Sequence, residues 1–243
     1  MNCRILPTAA ASGALNMALD EAMFQYALQE SQACLRFYTW ERPTVSLGYF
    51  QPIELLQTHP QLLQADVVRR HTGGGAIVHH LELTYCLALP PQPQWFTSEN
   101  WLCRMHHIIQ EAFLTFGVVT DALICGLETK RDPLLCFQHL TPGDLHINMQ
   151  KIVGSAQRRP RQGLMQHGSI LLAQSPLTPT LPGVLELSGI SVAGDELQTA
   201  ICAKFAEATS TKFLQAEWTA DELVLAEKIA AEKYAHPTWT NKR

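Results

Sequence analysis

The chain has 243 residues, 47% of them hydrophobic and 16% charged, which is typical of a globular protein with a sizeable core. Its formal net charge of −4 does not favour non-specific binding to nucleic acid or to an anionic membrane surface. Seven scattered cysteines without a Cys-x-x-Cys pair argue against a disulfide framework and a zinc ribbon. No stretch resembles a secretory signal or a membrane span, so we expect a cytoplasmic protein.

The predicted elements mix helices and strands without a regular alternation. An amphipathic helix with Ser12 as its N-cap is predicted over 12–30, and strands over 35–40, 44–47, 67–70 and 83–89. Next come a helix over 100–117, strand-like pieces over 118–124, 145–148, 152–157 and 168–172, an irregular surface connection over 175–182, and helices over 196–209 and 219–234. This order favours an α+β fold with a mainly antiparallel sheet flanked by helices.

A glycine-rich turn follows the predicted strand over 67–70. Gly73, Gly74 and Gly75 permit positive φ and leave the backbone open to a close ligand. Their amides could face an anion or a carbonyl oxygen, with Arg70 as a charged fork for a phosphate or a carboxylate. A tight turn made of glycine for steric reasons is the alternative. The glycine spacing fits neither the dinucleotide fingerprint nor the P-loop.

A second segment of small residues begins with a lysine and ends in a His-Gly pair. Its residues of interest are Lys151, Gly154, Ser155, Ala156, His167 and Gly168. The small side chains would let a substrate pass close over the backbone, and the lysine could meet a phosphate, a carboxylate or a thiolate. A surface lysine beside an ordinary strand is the alternative.

Several blocks of the sequence resemble the biotin/lipoate protein ligase family, in its lipoate-protein ligase A and octanoyltransferase branches. The matching blocks are residues 16–21, 45–52, 69–79, 151–157 and 167–168. The resemblance implies one catalytic domain over 1–243, similar to biotin ligases and class II aminoacyl-tRNA synthetases, with 196–234 as C-terminal helices packed on it. It also implies that an acyl chain lies between the triple-glycine turn and the lysine strand.

A Cys-Phe pair distinguishes the branches of this family. In the cysteine-type octanoyltransferases it stands fifteen residues ahead of the motif lysine, as Cys136-Phe137 stands ahead of Lys151. The resemblance implies that Cys136 carries octanoyl as a thioester, and the ammonium group of Lys151 would favour the reactive thiolate. A buried structural cysteine is the alternative.

The expected reaction moves octanoyl from acyl carrier protein to a lysine of a lipoyl-accepting protein, such as the glycine-cleavage H protein or an E2 lipoyl domain. It needs no cofactor and no metal. Backbone amides of residues 73–75 or 154–156 could stabilise the oxyanion. His79 and His167 are interpreted as proton shuttles, substrate contacts or structural histidines. The expected substrate-binding set is Arg70, Gly73, Gly74, Gly75, His79, Gly154, Ser155, Ala156, His167 and Gly168.

Three other functions are compatible with parts of the sequence. An ATP-dependent ligase would use ATP and Mg²⁺ to form lipoyl-adenylate, although many such ligases have His-Asp where this chain has His79-His80. A non-catalytic acyl-binding protein could share the fold. A zinc site could use Cys103, His106 and His107, or the pair at 79–80, but no second compact pair completes a tetrahedral set.

Overall fold

The computed structural model describes residues 1–96, 99–130 and 132–242, and within these ranges it contains fourteen strands and six α-helices. The strands are β1 (Asn2–Ile5), β2 (Ala9–Ala11), β3 (Ala33–Trp40), β4 (Thr44–Leu47), β5 (Asp66–Arg69), β6 (Ile77–His79), β7 (Glu82–Leu89), β8 (Asp121–Ala122), β9 (Thr129–Lys130), β10 (His139–Leu140), β11 (Leu145–Ile147), β12 (Gln150–Arg158), β13 (Leu164–Leu171) and β14 (Lys212–Gln215). The helices are α1 (Gly13–Gln29), α2 (Trp101–Leu114), α3 (Val184–Ser188), α4 (Gly194–Thr209), α5 (Ala220–Ile229) and α6 (Pro237–Thr240).

A large sheet organises these elements, with the strand order β14-β1-β3-β7-β13-β12-β11-β8 and β2 paired to β3. The run from β3 to β8 is antiparallel throughout, whereas β1 and β2 join β3 in parallel and β14 joins β1 in parallel. The predicted α+β fold with a mainly antiparallel sheet is therefore confirmed.

Both faces of the sheet are covered by helices. Because successive side chains of a strand point to opposite faces, β3 and β7 contribute to two separate cores. On one face Phe37 and Leu87 join residues of α2 and α4. On the other face Tyr38 and Cys86 join α1, and Ala226 of α5 belongs to the same core. The buried run of β7, which reads as continuous apolar sequence rather than as an alternation, follows from this double cover.

A small three-stranded sheet, in the order β5-β4-β6, carries the glycine-rich turn between β5 and β6. Its core includes Val45, Leu47 and Val78, and it also takes in Leu134 and Phe137 from the segment around Cys136. The small sheet thus holds the glycine-rich turn against the loop that carries Cys136. Both loops were singled out from the sequence.

The helix starts agree well with the sequence. Ser12 Oγ accepts the Leu15 N–H at 3.3 Å as the N-cap of α1, and Thr219 and Glu222 form the capping box of α5. Helix α2 ends at Leu114, before Gly117, and its last turns are followed by a short loop.

Two predictions need correction. Residues 118–124 form only the two-residue edge strand β8, because only Asp121 and Ala122 pair with β11. The connection over 175–182 is irregular as predicted, but Ser175, Thr178 and Leu181 are buried, so it is not a surface loop along its whole length. No helix among the described residues is both long and apolar enough to cross a membrane.

Candidate active site

Cys136 begins a short 3-10 turn, Cys136–Gln138, and is half-buried. Its backbone N–H donates to the Ala76 carbonyl at 2.8 Å, and the Ala76 N–H donates to the Leu134 carbonyl at 2.7 Å. Asp132 Oδ1 accepts the N–H groups of Leu134 and Leu135 at 2.6 and 2.9 Å. The cysteine is therefore fixed by backbone bonds to the end of the glycine-rich turn.

Lys151 lies in β12 with its side chain buried beside this cysteine. Its Nζ is 2.7 Å from Asp144 Oδ2 and 3.8 Å from Cys136 Sγ. Burial alone would lower the pKa of Lys151, but the charges of Cys136 and Asp144 outweigh burial and raise the pKa. The lysine is thus an ammonium group shared between a carboxylate and the sulfur.

Gly154 makes room for this arrangement. A Cβ at that position would lie 2.4 Å from Lys151 Cε and 2.8 Å from Nζ. The carboxylate that holds the ammonium is itself held, because Asp144 Oδ2 also accepts from Thr141 N and Oγ1 at 2.8 Å each. No role was predicted for Asp144 from the sequence.

Arg70 is directed at its own loop rather than outward as a fork. Nη1 donates to the carbonyl and hydroxyl of Ser46, and Nη2 donates to the carbonyls of Gly73 and Gly75 at 3.3 and 2.9 Å. Burial lowers the pKa of Arg70 to about 10, against the opposing effect of Cys136. Its Nε has no partner among the described residues.

The glycines of the turn are required by close contacts on two sides. A Cβ on Gly75 would lie 2.9 Å from both Cα and N of Cys136. Gly74 has a φ of +94°, and its carbonyl oxygen would lie 1.8 Å from a Cβ on Gly48. The amides of Gly74 and Gly75 donate to no acceptor in the described part of the chain. The loop therefore packs against Cys136 at Gly75 and leaves the N–H groups of Gly74 and Gly75 unpaired among the described residues.

A narrow cavity lies between the glycine-rich turn and the large sheet, as the sequence predicted. Cys136 is part of its wall, together with Arg70, Gly73, Gly74, Ile77, His79, Gly154, Ser155, Ala156, His167 and Gly168, and with Met17, Tyr38, Thr84 and Ser169, which sequence reasoning did not identify. The sheet face beneath the cavity is formed by residues in register, since Gly154 pairs with Ser169, Ser169 with Thr84, and Thr84 with Tyr38.

Both candidate histidines are buried and have partners on both ring nitrogens. His79 bonds with Ser46 Oγ at 2.7 Å and Glu82 Oε1 at 3.3 Å, and burial lowers its pKa. His167 bonds with Thr72 Oγ1 at 2.7 Å and Asp20 Oδ2 at 3.2 Å. These contacts favour the structural interpretation of both rings, although both also line the cavity.

Asp20 is a buried carboxylate that sequence reasoning missed. It bonds with Arg36 Nε at 2.9 Å, accepts from the Tyr38 hydroxyl at 2.9 Å and faces His167. Burial alone would raise the pKa of Asp20, but Arg36 and His167 together lower it. The sequence signal that could have identified Asp20 is a charged residue on the buried face of the helix predicted over 12–30.

The Ser155 side chain belongs to a network on the opposite face of the sheet. Its Oγ is 2.6 Å from both the Tyr85 hydroxyl and His106 Nε2, and His106 Nδ1 is 2.6 Å from the Gly143 carbonyl. Gly168 lies against this network, because a Cβ there would be 2.3 Å from Ser155 Oγ. Gly168 is thus needed for packing on that face, and it also lines the cavity of Cys136.

The zinc alternative has no geometric support. Both ring nitrogens of His106 are already bonded, whereas Cys103 is exposed. Among residues 1–96, 99–130 and 132–242, no three His, Cys, Asp or Glu side chains are grouped as ligands of one ion would be.

Several known proteins resemble this chain in sequence and in fold. The octanoyltransferase LipM of Clostridioides difficile is 31% identical over 99% of this chain and 98% of its own length. The LipM of Carboxydothermus hydrogenoformans is 30% identical over 94% of each chain. Among solved structures, a Thermoplasma acidophilum protein assigned as a lipoate protein ligase superposes with a TM-score of 0.80 at 21% identity over 100% of both chains.

A lipoate-protein ligase A bound with ATP superposes with a TM-score of 0.77 at 20% identity, covering 99% of each chain. At these identities the structural matches show the fold, and the closer sequence relatives show the branch. The model of the lipoyl protein ligase A/B catalytic domain matches residues 12–187. The chain therefore belongs to the lipoyl protein ligase A/B catalytic domain family.

Proposed function

We propose that this protein is an octanoyltransferase of lipoate biosynthesis that transfers octanoyl from acyl carrier protein to a lysine of a lipoyl-accepting protein through a thioester on Cys136. The observation that carries the proposal is the 3.8 Å contact between Cys136 Sγ and the buried Lys151 ammonium on the wall of a narrow cavity. The full-length similarity to octanoyltransferases named LipM supports the same reaction. The acceptor is the glycine-cleavage H protein or an E2 lipoyl domain, and the reaction takes place in the cytoplasm.

The first step forms the acyl-enzyme. The Cys136 thiolate attacks the carbonyl carbon of the donor thioester, a new C–S bond forms, and the carrier leaves as its own thiolate. The attacking sulfur lies 3.8 Å from the buried Lys151 ammonium, which places a positive charge beside the thiolate that attacks.

The second step releases the acyl group as an amide. The neutral ε-amine of the acceptor lysine attacks the thioester carbon, the bond to Cys136 Sγ breaks, and the amine gives its proton to solvent or to the departing sulfur. Each step passes through a tetrahedral oxyanion. The N–H groups of Gly74 and Gly75, unpaired within the described chain, are our candidate donors to this oxyanion, since their turn packs against Cys136 and the amide of Ala76 is already bonded to Leu134.

The acyl chain lies across the sheet. From Gly154 through Ser169 and Thr84 to Tyr38 there are three strand spacings, or about 14 Å. An extended octanoyl chain is roughly 9 Å long, which is the length of an extended polypeptide backbone with the same number of bonds. Tyr38 therefore lies beyond the end of an octanoyl chain that starts above Gly154 and runs across the strands.

The test is mass spectrometry of the protein after incubation with octanoyl acyl carrier protein. The parent and the matched control Cys103→Ala, which lacks an exposed cysteine away from the cavity, should gain one octanoyl group. Cys136→Ala should gain none. Acylation that persists in Cys136→Ala would show that the covalent mechanism is wrong.

The transfer uses neither ATP nor Mg²⁺ in this proposal. Four of the five N–H groups of Arg70 are directed at Ser46 and the glycine-rich turn, which leaves little of the guanidinium for a nucleotide phosphate. An assay with a lipoyl-domain acceptor should show transfer from octanoyl acyl carrier protein without ATP. Transfer from free octanoate or lipoate only when ATP and Mg²⁺ are added would instead support the ligase.

A further inference from the structure

A second, larger cavity lies on the same side of the large sheet as Cys136. It has a volume of about 710 Å³, which is within the range of small-molecule sites. One wall is the exposed edge of α1 with Phe24 and Leu28, and the other is formed by Met165 and by two arginines, Arg158 and Arg161. No step of the proposed transfer has used these residues.

The register of β12 places the two cavities end to end. Side chains two residues apart on a strand share a face, so Gly154, Ala156 and Arg158 point to the same side. The first two line the cavity of Cys136 and the third lines the second cavity. Four residues of strand span about 13 Å. At the boundary His71 of one cavity lies 6.0 Å from His167 of the other, measured between ring centroids.

The charge of the second cavity is positive and not neutralised. Arg158 and Arg161 form no ion pair within the described residues. Glu21 also lines the cavity, but its Oε2 is bonded to Lys233 Nζ at 2.6 Å and to the Tyr234 hydroxyl at 2.7 Å, so Lys233 balances its charge. The cavity therefore offers two free guanidinium groups next to an apolar wall.

The turn between β12 and β13 is held in a conformation that favours this arrangement. Arg161 and Gln162 have φ values of 51° and 63°, a left-handed region that few non-glycine residues adopt. The turn is pressed onto α1, since a Cβ on Gly163 would lie 2.5 Å from Leu28 Cδ2. Strained backbone of this kind persists where surrounding contacts enforce it and is frequent at ligand sites.

We infer that the second cavity binds the phosphate of the arm that carries the acyl thioester, with Arg158 and Arg161 on the phosphate and the apolar wall against the arm. The inference rests on the proposed function. The carrier protein presents the phosphate of this arm as a phosphodiester and coenzyme A presents it within a diphosphate, so both offer an anionic phosphate at the same distance from the thioester. Between sulfur and phosphorus the arm has about as many bonds as four residues of backbone and reaches roughly 15 Å. This length matches the distance along β12 from Gly154 to Arg158.

The experiment compares acyl donors with and without the phosphate. The rate of acyl-enzyme formation on the full chain is measured with octanoyl-pantetheine, octanoyl-phosphopantetheine, octanoyl-coenzyme A and octanoyl acyl carrier protein. The variants are Arg158→Gln, Arg161→Gln and their combination. Arg159→Gln is the control, because Arg159 belongs to the same turn but does not line the cavity and reaches only Asn100 at 3.5 Å.

The double variant should lose about tenfold or more in acylation rate at low concentrations of every phosphate-bearing donor, as expected for loss of charge-assisted bonds. Its rate with octanoyl-pantetheine and all rates of the control should stay at parent values. An equal loss with octanoyl-pantetheine would show that the arginines only support the strand. A loss confined to the carrier protein would show protein docking instead of phosphate binding, and unchanged rates with all donors would also overturn the inference.

The outcome separates this inference from the proposed function. If the parent is acylated but the double variant behaves like the parent, the inference is wrong and the transferase proposal stands. If the parent forms no acyl-enzyme from any of the four donors, the proposed function is wrong and the inference falls with it.

Discussion

Two clusters of charged groups lie on the α1 face of the large sheet. They differ in how completely the groups within each cluster are paired. The closed cluster is Asp20, Arg36, Tyr38 and His167. Its carboxylate bonds with all three partners, and Arg36 Nη2 also donates to the carbonyl and side chain of Asn16. It is buried throughout.

The open cluster is Cys136, Asp144, Lys151 and Arg70. Its carboxylate and ammonium are paired, but the cysteine sulfur lies at the cavity wall, and Arg70 Nε lacks a partner among the described residues. The open cluster holds one carboxylate against two cations, whereas the closed cluster balances one carboxylate with one arginine. The surplus charge of the open cluster is available to a thiolate or an oxyanion, and the comparison predicts different losses when the clusters are broken.

The largest expected effect is on stability and comes from the closed cluster. Asp20→Asn leaves Arg36 buried without its counter-ion, which should lower the free energy of unfolding by about 3–5 kcal/mol. Chemical denaturation measures this loss, and Glu207→Gln, in an exposed pair with Lys204, should show no measurable change. The acylation rate per folded molecule should stay near the parent value. A large loss of acylation rate in folded Asp20→Asn would contradict the distinction between a closed cluster that supports stability and an open cluster that supports chemistry.

The next effect is on chemistry and comes from the open cluster. Lys151→Met keeps the bulk of the side chain but removes the cation beside Sγ, so acyl-enzyme formation should fall about 10- to 100-fold. The alkylation rate of Cys136 by iodoacetamide should fall in parallel, because it follows the thiolate. The double variant Lys151→Met with Asp144→Asn removes the unpaired carboxylate and should regain stability without regaining activity. Parent-like alkylation in Lys151→Met would contradict the role given to the ammonium.

A smaller effect should appear in the pH dependence of the open cluster. The charge of Asp144 contributes to raising the pKa of Lys151, so Asp144→Asn should let the lysine lose its proton at a lower pH. The alkaline decline of the acylation rate should move down by about one pH unit, equivalent to about 1.4 kcal/mol. Glu111→Gln, at an exposed helix position, is the control. A shift to higher pH would show the opposite sign of coupling.

The smallest effect concerns a histidine next to the closed cluster. Burial, followed by neighbouring charges, lowers the pKa of His71 well below the ordinary histidine value of 6.5. Below about pH 6.5 the unfolded chain binds a proton that the folded chain does not, so stability falls as pH decreases from there. His71→Gln should recover about 1 kcal/mol of this acid loss near pH 5.5. Denaturation at pH 7.5 and pH 5.5 measures the difference, and an unchanged acid loss would contradict it.

Much of the fold was predictable because its signals are local. Ser12 and the Thr219 capping box gave helix starts, and the apolar spacing gave α1, α2 and α4. Strands β1 and β14 were missed, because their parallel pairing joins residues 2–5 to residues 212–215 and leaves no period in either short run.

The same limit, that only local signals can be predicted from the sequence, applies to the site. The family resemblance implied that Lys151 lies near Cys136, and the glycines predicted a turn, which the structure places beside the cavity. The partners of these residues were less accessible: the bond from Asp144 to Lys151 crosses a bulged strand pair, and Asp20 meets His167 across 147 positions of sequence. The second cavity likewise depends on α1 packing against the turn that carries Arg161. Such contacts are properties of the tertiary fold.

The two backbone bonds that join Ala76 to Leu134 and Cys136 also have a mechanical consequence. They couple the glycine-rich turn to the loop that carries Cys136, so an outward movement of one loop moves the other. Admission of a bulky acyl donor can then widen the cavity while the distance from the sulfur to the amides of Gly74 and Gly75 is preserved. The two loops would then move together, and the relative positions of the reacting groups would be kept.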